Sequence, residues 1–225
     1  MATDQEGDGT AARSARAGGR HGNLGLVGRP CYARGRALFR AAAGFFRTSH
    51  RTNLARVGEH SSGPSSRALA QALAEADGIL FLCSGNMVRS TFAELYARHL
   101  GLALPLASAA TRFRNRGMYP ETHAALLRRG VAARELARFR SRHLDDLDAP
   151  FARRALVFGM RSEHLQAACT RGATRTFLLG ALLEPPAEIP DPVLEGADFE
   201  ATFADLARAV ERLVALYGSV TSTSR

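Results

Sequence analysis

The chain has 225 residues, 46% apolar and 23% charged, with 30 Lys+Arg against 21 Asp+Glu and a formal net charge of +9. That composition is ordinary for a globular protein of one or two domains. Every basic residue is arginine, which excludes a lysine-dependent nucleotide loop, a pyridoxal Schiff base and a kinase-type lysine. The charge is uneven: residues 1–74 hold 11 Arg and 4 acidic residues, whereas residues 75–225 hold 19 Arg and 17 acidic residues, so +7 sits on an N-terminal arm and +2 on the remainder. An arginine-only, alanine-rich composition is also what a GC-rich coding bias gives. The arm lacks RNP-like aromatic patterning, so no nucleic-acid partner is expected.

The cysteines Cys31, Cys83 and Cys169 are odd in number and widely spaced. They suggest neither a disulfide framework nor a zinc site, and they fit a reducing, cytoplasmic compartment. No apolar run reaches the ~18 residues of a membrane helix, and the opening residues do not read as a secretory signal.

In chain order, residues 1–65 read as a basic, disordered arm rich in Gly, Ala and Arg. Within it Arg36–Arg47 has the makings of a short basic helix, and Ser61–Ser66 is a linker by composition. A folded domain follows over 66–218, with 219–225 as a disordered tail. Arg67–Ala76 reads as a helix. Gly78–Cys83 (GILFLC) is a continuous apolar run of strand length, as a strand buried on both faces requires. Ser90–Leu100 reads as a helix, Leu104–Ala107 as a second strand, and Glu121–Arg129 as a helix closed by Gly130. Ala155–Phe158 is a third strand, Ser162–Ala168 a short helix and Thr174–Leu179 a fourth strand. Phe199–Tyr217 is a long terminal helix with Phe203, Leu206, Val210, Leu213, Val214 and Tyr217 on one face. Strands alternating with helices predict a three-layer, doubly wound α/β fold: a four-stranded, mainly parallel sheet with helices on both faces.

The chemistry concentrates in Cys83-Ser84-Gly85-Asn86-Met87-Val88-Arg89-Ser90. This string joins the first strand to the first good helix, the junction where doubly wound folds place a ligand. Backbone N–H groups leading into a helix cradle an anion, and the same field stabilises a thiolate. Arg89 offers a planar fork that matches two phosphoryl oxygens. Gly85 is expected to supply a positive φ, Asn86 to tolerate the left-handed region and tie the loop to itself, and Ser90 to donate to the thiolate. Cysteine, five residues and arginine is a weak pattern alone; the full string at a strand–helix junction is specific.

With these residues in view, the sequence resembles the low-molecular-weight protein tyrosine phosphatase family over about residues 77–218. Three motifs carry the resemblance: Ile79–Ser90 (ILFLCSGNMVRS), Ser108-Ala109-Ala110-Thr111, and Ile189-Pro190-Asp191-Pro192. It implies Cys83 as nucleophile, Arg89 as the phosphoryl-binding residue and Asp191 as general acid on a loop held by Pro192. Asn86 and Ser108 would brace the phosphate loop and Ser90 would assist the thiolate. It further implies no metal and no cofactor, a phosphotyrosine-protein substrate, and a bacterial tyrosine kinase as one such partner.

The sequence also departs from the family. Val193 and Leu194 stand where aromatic residues commonly follow Asp-Pro, giving an aliphatic pocket wall. Val88 occupies the place of a second, redox-protective cysteine. Phe158-Gly159-Met160-Arg161 lacks the Asp common after the third strand, so its contact is expected to be lost. The stretch 112–116 is basic; Phe113 is placed to stack on a phenyl ring at the substrate entrance, and Arg112, Arg114 and Arg116 either attract acidic flanks or form a solvated loop. Cys169 reads as a core residue, and His99, His123, His143 and His164 as surface or packing residues. Arsenate reduction, which relays electrons through two further cysteines, ranks low. Phosphoarginine hydrolysis is associated with a small Thr where this chain has Met87, whose bulk favours a flat phenyl ring. A catalytically weak phosphoprotein-binding module is the alternative from another class.

Overall fold

The computed structural model describes residues 66–223. The arm at 1–65, its Arg36–Arg47 helix, Cys31 and most of the Ser61–Ser66 linker lie outside the described residues. Among the described residues the elements are α1 (Ser66–Ala74), β1 (Ile79–Cys83), α2 (Arg89–His99), β2 (Leu106–Ala110), α3 (Pro120–Arg128), α4 (Ala133–Arg138), α5 (Ala149–Arg154), β3 (Leu156–Gly159), α6 (Ser162–Cys169), β4 (Thr176–Leu178) and α7 (Phe199–Thr223). Single 3₁₀ turns lie at Leu144–Asp146 and Leu179–Leu182.

The four strands form one sheet in the order β2-β1-β3-β4, every neighbouring pair parallel. All five residues of β1 are buried, which is why the segment is a continuous apolar run rather than an alternating one. Alternate residues serve opposite faces. Ile79, Phe81 and Cys83 join a core with Phe92 of α2 and Phe203, Leu206 and Val210 of α7. Leu80 and Leu82 join a second core with Leu144, Val157 and Ala168. Helices therefore cover both faces, as the α/β expectation requires. The Phe92 and Phe203 rings stack at 5.2 Å, locking α7 against α2.

The order of the sheet fixes where a ligand belongs. The chain leaves β1 for β2 on one side and crosses to β3 on the other. The strand order therefore reverses between β1 and β3, and the crevice opens beyond Cys83 and Gly159. Gly159 is required there: a Cβ would lie 2.6 Å from Leu165 Cδ2 and 3.0 Å from the Arg161 carbonyl.

Several boundaries differ from the sequence expectation. β2 runs over Leu106–Ala110 rather than 104–107. Pro105 has no N–H to give the ladder; its carbonyl accepts from Ile79 N at 2.8 Å, and pairing opens one residue later. α7 continues to Thr223, so residues 219–223, read as disordered tail, are helical. Gly130 takes a positive φ (+86°) just past α3, as a helix-terminating glycine does. Cys169, read as core, is exposed: Leu165 and Ala168 occupy the buried stripe of α6, and the next residue rotates out of it.

Candidate functional site

The segment Cys83–Ser90 leaves the buried end of β1 and enters α2. Asn86 takes φ +49°, which few side chains other than Asn tolerate. The left-handed region expected at Asn86 is thus present, whereas the positive φ expected at Gly85 is not: Gly85 is not among the residues with positive φ. The Asn86 side chain also holds the turn. Its Nδ2 donates to Ser108 Oγ at 2.7 Å and to Ser90 Oγ at 3.0 Å, while its Oδ1 accepts from Arg142 N at 2.8 Å. Ser108 Oγ in turn donates to Glu94 Oε2 at 2.5 Å, and Glu94 is paired with Arg98 and Arg142.

Two groups converge on the sulfur. Asn86 N–H donates to Cys83 Sγ at 3.2 Å, and Ser90 Oγ lies 3.0 Å from it. From the other side, Thr111 N bonds the Cys83 carbonyl at 2.9 Å, and the N–H groups of Arg112 and Phe113 both reach the Ser84 carbonyl at 3.1 Å. The segment after β2 is thus laced against the loop, which sets the partly buried Phe113 at its rim. Arg112 lies over the Phe113 ring at 5.6 Å. Arg114 is paired with Asp146 at 2.5 Å, so the basic stretch is partly neutralised.

Arg89 is 1% exposed, the bulkiest of the fully buried side chains. A buried guanidinium demands partners. Nη1 donates to the Ile189 carbonyl at 2.9 Å, and Nη2 to Ser84 Oγ at 3.4 Å and to Asp191 Oδ2. Asp191 is also buried, its Oδ1 accepting from Val193 N (2.9 Å) and Leu194 N (3.2 Å) in the turn that Pro192 opens. The folding of the chain therefore brings Asp191 into contact with a residue 102 positions away. Met87, Val193 and Leu194 are partly buried beside these segments, and Val88 is buried in the core.

The sequence reading missed two supports. Glu94 lies on α2 one helical turn past Ser90 and takes the Ser108 hydroxyl proton in a hydrogen bond; its (i, i+4) pairing with Arg98 was the available signal. His164, read as surface or packing, is fully buried beneath the loop. Its pKa is pushed down to about 3, first by burial and then by the Arg89, Arg161 and Arg112 charges. The ring is therefore neutral at ordinary pH. Nδ1 accepts from Arg161 N at 3.0 Å, so the proton sits on Nε2, which donates to Ser84 Oγ at 3.1 Å. With Arg89 and His164 both donating to Ser84 Oγ, the serine's own proton points elsewhere.

Where the sequence lacks the family's Asp after β3, Arg161 sits among Glu163, Glu188 and Glu195. Among the described residues no group of three or more His, Cys, Asp or Glu is placed to hold a metal. No helix among them is long and apolar enough to cross a membrane.

The family profile described as low molecular weight phosphotyrosine protein phosphatase matches residues 78–222. The chain belongs to this family. Among solved structures, the tyrosine phosphatase Wzb of Escherichia coli K30, bound to sulphate, is 26% identical with a TM-score of 0.52 over 62% of this chain and 97% of that one. The Erwinia amylovora tyrosine phosphatase AmsI is 24% identical, with a TM-score of 0.52 over 62% of this chain and 92% of its own. The YwlE arginine phosphatase of Geobacillus stearothermophilus is likewise 24% identical, with a TM-score of 0.50 over 61% and 90%. The last two likenesses bear on the fold alone. A search among curated proteins returns no match.

Proposed function

We propose that this phosphatase hydrolyses phosphotyrosine in proteins through a cysteinyl-phosphate intermediate. The observation that carries the reading is the convergence of three groups from two distant segments: Cys83 Sγ under the donors of Asn86 and Ser90, the buried Arg89 guanidinium of the same loop, and the Asp191 carboxylate in contact with it.

The chemistry follows from these positions. The phosphoryl group enters the loop and takes hydrogen bonds from its N–H groups and from Arg89. It displaces Asp191 Oδ2 from Nη2, and the carboxylate freed from that ion pair takes up a proton from solvent and faces the departing oxygen. Cys83 Sγ attacks phosphorus; the S–P bond forms as the P–O bond breaks, and Asp191 gives its proton to the leaving phenolate. Asp191, now a carboxylate, takes a proton from water, whose oxygen attacks phosphorus. The S–P bond breaks, releasing phosphate and the thiolate. Ser108 acts here only through Asn86, and Pro192 only through the Asp191 turn. No metal or cofactor enters any of these steps.

The specificity for a phenyl ester rests on Met87, Phe113, Val193 and Leu194, all apolar and partly buried. Phosphoarginine is the competing substrate; Met87, standing where phosphoarginine hydrolysis is associated with a small Thr, favours the aryl ester over it. The site of action we propose is the cytoplasm, with a bacterial tyrosine kinase as a natural substrate. Hydrolysis of p-nitrophenyl phosphate, phosphotyrosine peptides and phosphoarginine peptides by wild type and Cys83→Ser tests the reading. We expect turnover of the aryl esters, with phosphotyrosine preferred, and a loss of about 10⁴-fold or more in the variant. An inactive wild type under reducing conditions would contradict it and favour a phosphoprotein-binding module.

A further inference from the structure

We propose that Arg161 is a positioning residue for Asp191, clamping both ends of the loop that carries it. The inference rests on the reading of Asp191 as general acid.

Arg161 stands at the junction of β3 and α6, on fixed scaffold. Its N–H is held by His164 Nδ1, and Met160 before it accepts from Ile189 N at 3.0 Å. Its guanidinium reaches across to the loop at two places. Arg161 Nε lies 3.1 Å from Glu188 Oε2, and Arg161 Nη1 lies 2.5 Å from Glu195 Oε1. Glu188 precedes Asp191 and Glu195 follows it, so one side chain spans the whole turn.

Both glutamates pass the constraint on. Glu188 Oε1 accepts from Ser162 N at 2.7 Å, fastening the entry of the loop to the start of α6. Glu195 Oε1 accepts from the Asp191 backbone N–H itself at 3.1 Å, and Glu195 N returns a bond to the Asp191 carbonyl at 2.9 Å. The ion pair on Glu195 therefore acts directly on the peptide unit that aims the Asp191 carboxyl.

Charge makes the clamp necessary. Glu163, Glu188 and Glu195 all lie within 3.8 Å of the Arg161 guanidinium, and like charges gathered around one cation repel. Arg89 faces Asp191, and Arg161 faces these three. Remove the Arg161 charge and the glutamates push the turn away from Arg89. The departure from the family pattern after β3 is thus a contact of opposite sign rather than a missing one: a cation on the scaffold holds anions on the loop. Arg161 touches neither Cys83 nor the phosphoryl position, so its effect on chemistry is exerted through Asp191.

The test compares wild type with Arg161→Met, which keeps length and removes charge, and Arg161→Lys, which restores charge without the two-pronged reach. Two readouts are taken on the full chain. The first is amide hydrogen exchange at Ile189, Asp191 and Glu195, with the β1 amides as the control for global stability. In Arg161→Met the loop amides are expected to exchange about fivefold faster while β1 is unchanged, with Arg161→Lys between the two. The second is turnover of aryl phosphates that differ in leaving-group basicity. In Arg161→Met, kcat is expected to fall about tenfold for phenyl phosphate and less than about twofold for dinitrophenyl phosphate, with KM little changed. Wild-type exchange and wild-type leaving-group dependence in Arg161→Met would overturn the clamp. Failure of the functional reading looks different: Asp191→Asn then shows no leaving-group dependence, or wild type turns over no ester. The exchange data decide the clamp in either case.

Discussion

The two loops that meet at the site are built on different physics. The phosphate loop, Cys83–Ser90, is held from within the protein. Asn86, Ser90, Thr91, Ser108 and His164 are all buried, and hydrogen bonds mainly among these neutral groups, with buried Glu94 behind Ser108, fix its backbone. The Asp191 loop is held from the rim. Apart from Arg89 and the Ser162 N–H that donates to Glu188, its side-chain tethers are the ion pairs of Arg161 with Glu188 and Glu195, each group 30–40% exposed. Buried, fully satisfied networks specify one geometry. Partly exposed ion pairs are weaker and yield to solvent. On the proposed mechanism, the loop that receives the phosphoryl group is therefore stiff, and the loop that gives and takes a proton is tethered more softly.

The largest break in this comparison comes from the acid side. Asp191→Asn keeps an acceptor against Arg89 but has no proton to give, and turnover of phenyl phosphate should fall about 100-fold, with far less effect on dinitrophenyl phosphate. Steady-state kinetics over a leaving-group series measures it. Equal losses on both esters would remove Asp191 from the chemistry while leaving the phosphate loop intact.

Asn86→Ala attacks the stiff side. It removes the donor to Ser108 Oγ, leaves Arg142 N without its acceptor, and places an alanine at a positive φ. The expected cost is about 2–4 kcal/mol of unfolding free energy, read by urea denaturation, together with weakened phosphate binding. A variant as stable as wild type would mean that the network does not hold the loop.

The smallest expected effect concerns pH. The unfolded chain protonates His164 near the ordinary imidazole value of 6.5, whereas burial keeps the folded ring neutral down to about 3. Between those values the unfolded state binds the extra proton, so this residue's contribution to stability is present above pH 6.5 and is lost as pH falls toward 3. The slope from this one group approaches about 1.4 kcal/mol per pH unit. His164→Gln, measured by denaturation from pH 7 to pH 4, should show a shallower decline. Parallel curves for the two proteins would contradict the buried, neutral assignment.

The same contrast explains what could be read from the sequence. The phosphate loop was legible because its chemistry is contiguous, lying between a fully apolar strand and a helix. The sheet was legible for the same reason: a run such as ILFLC leaves few alternatives. Asp191 was legible only through its resemblance to a family motif, and the residues that hold it were not. Arg161 finds Glu188 and Glu195 at separations of 27 and 34 residues, a pairing that only the β3–α6 junction creates. His164 meets Ser84 across 80 residues, and a lone histidine on a short helix carries no periodic signal of such a contact. α4 and α5, six residues each, are too short for periodicity to show. Cys169 was misjudged because a one-residue step along α6 turns a side chain from core to solvent.

The central claim is that Cys83 carries the phosphoryl group between the two half-reactions. Rapid acid quench of Asp191→Asn during turnover of dinitrophenyl phosphate, followed by peptide mass spectrometry, tests it most directly. The account predicts one phosphoryl group on Cys83, accumulating because no carboxylate at position 191 activates water, and none on Cys83→Ser/Asp191→Asn at sulfur. A quenched enzyme that turns over ester yet carries no phosphate on Cys83, or carries it on another residue, would contradict it.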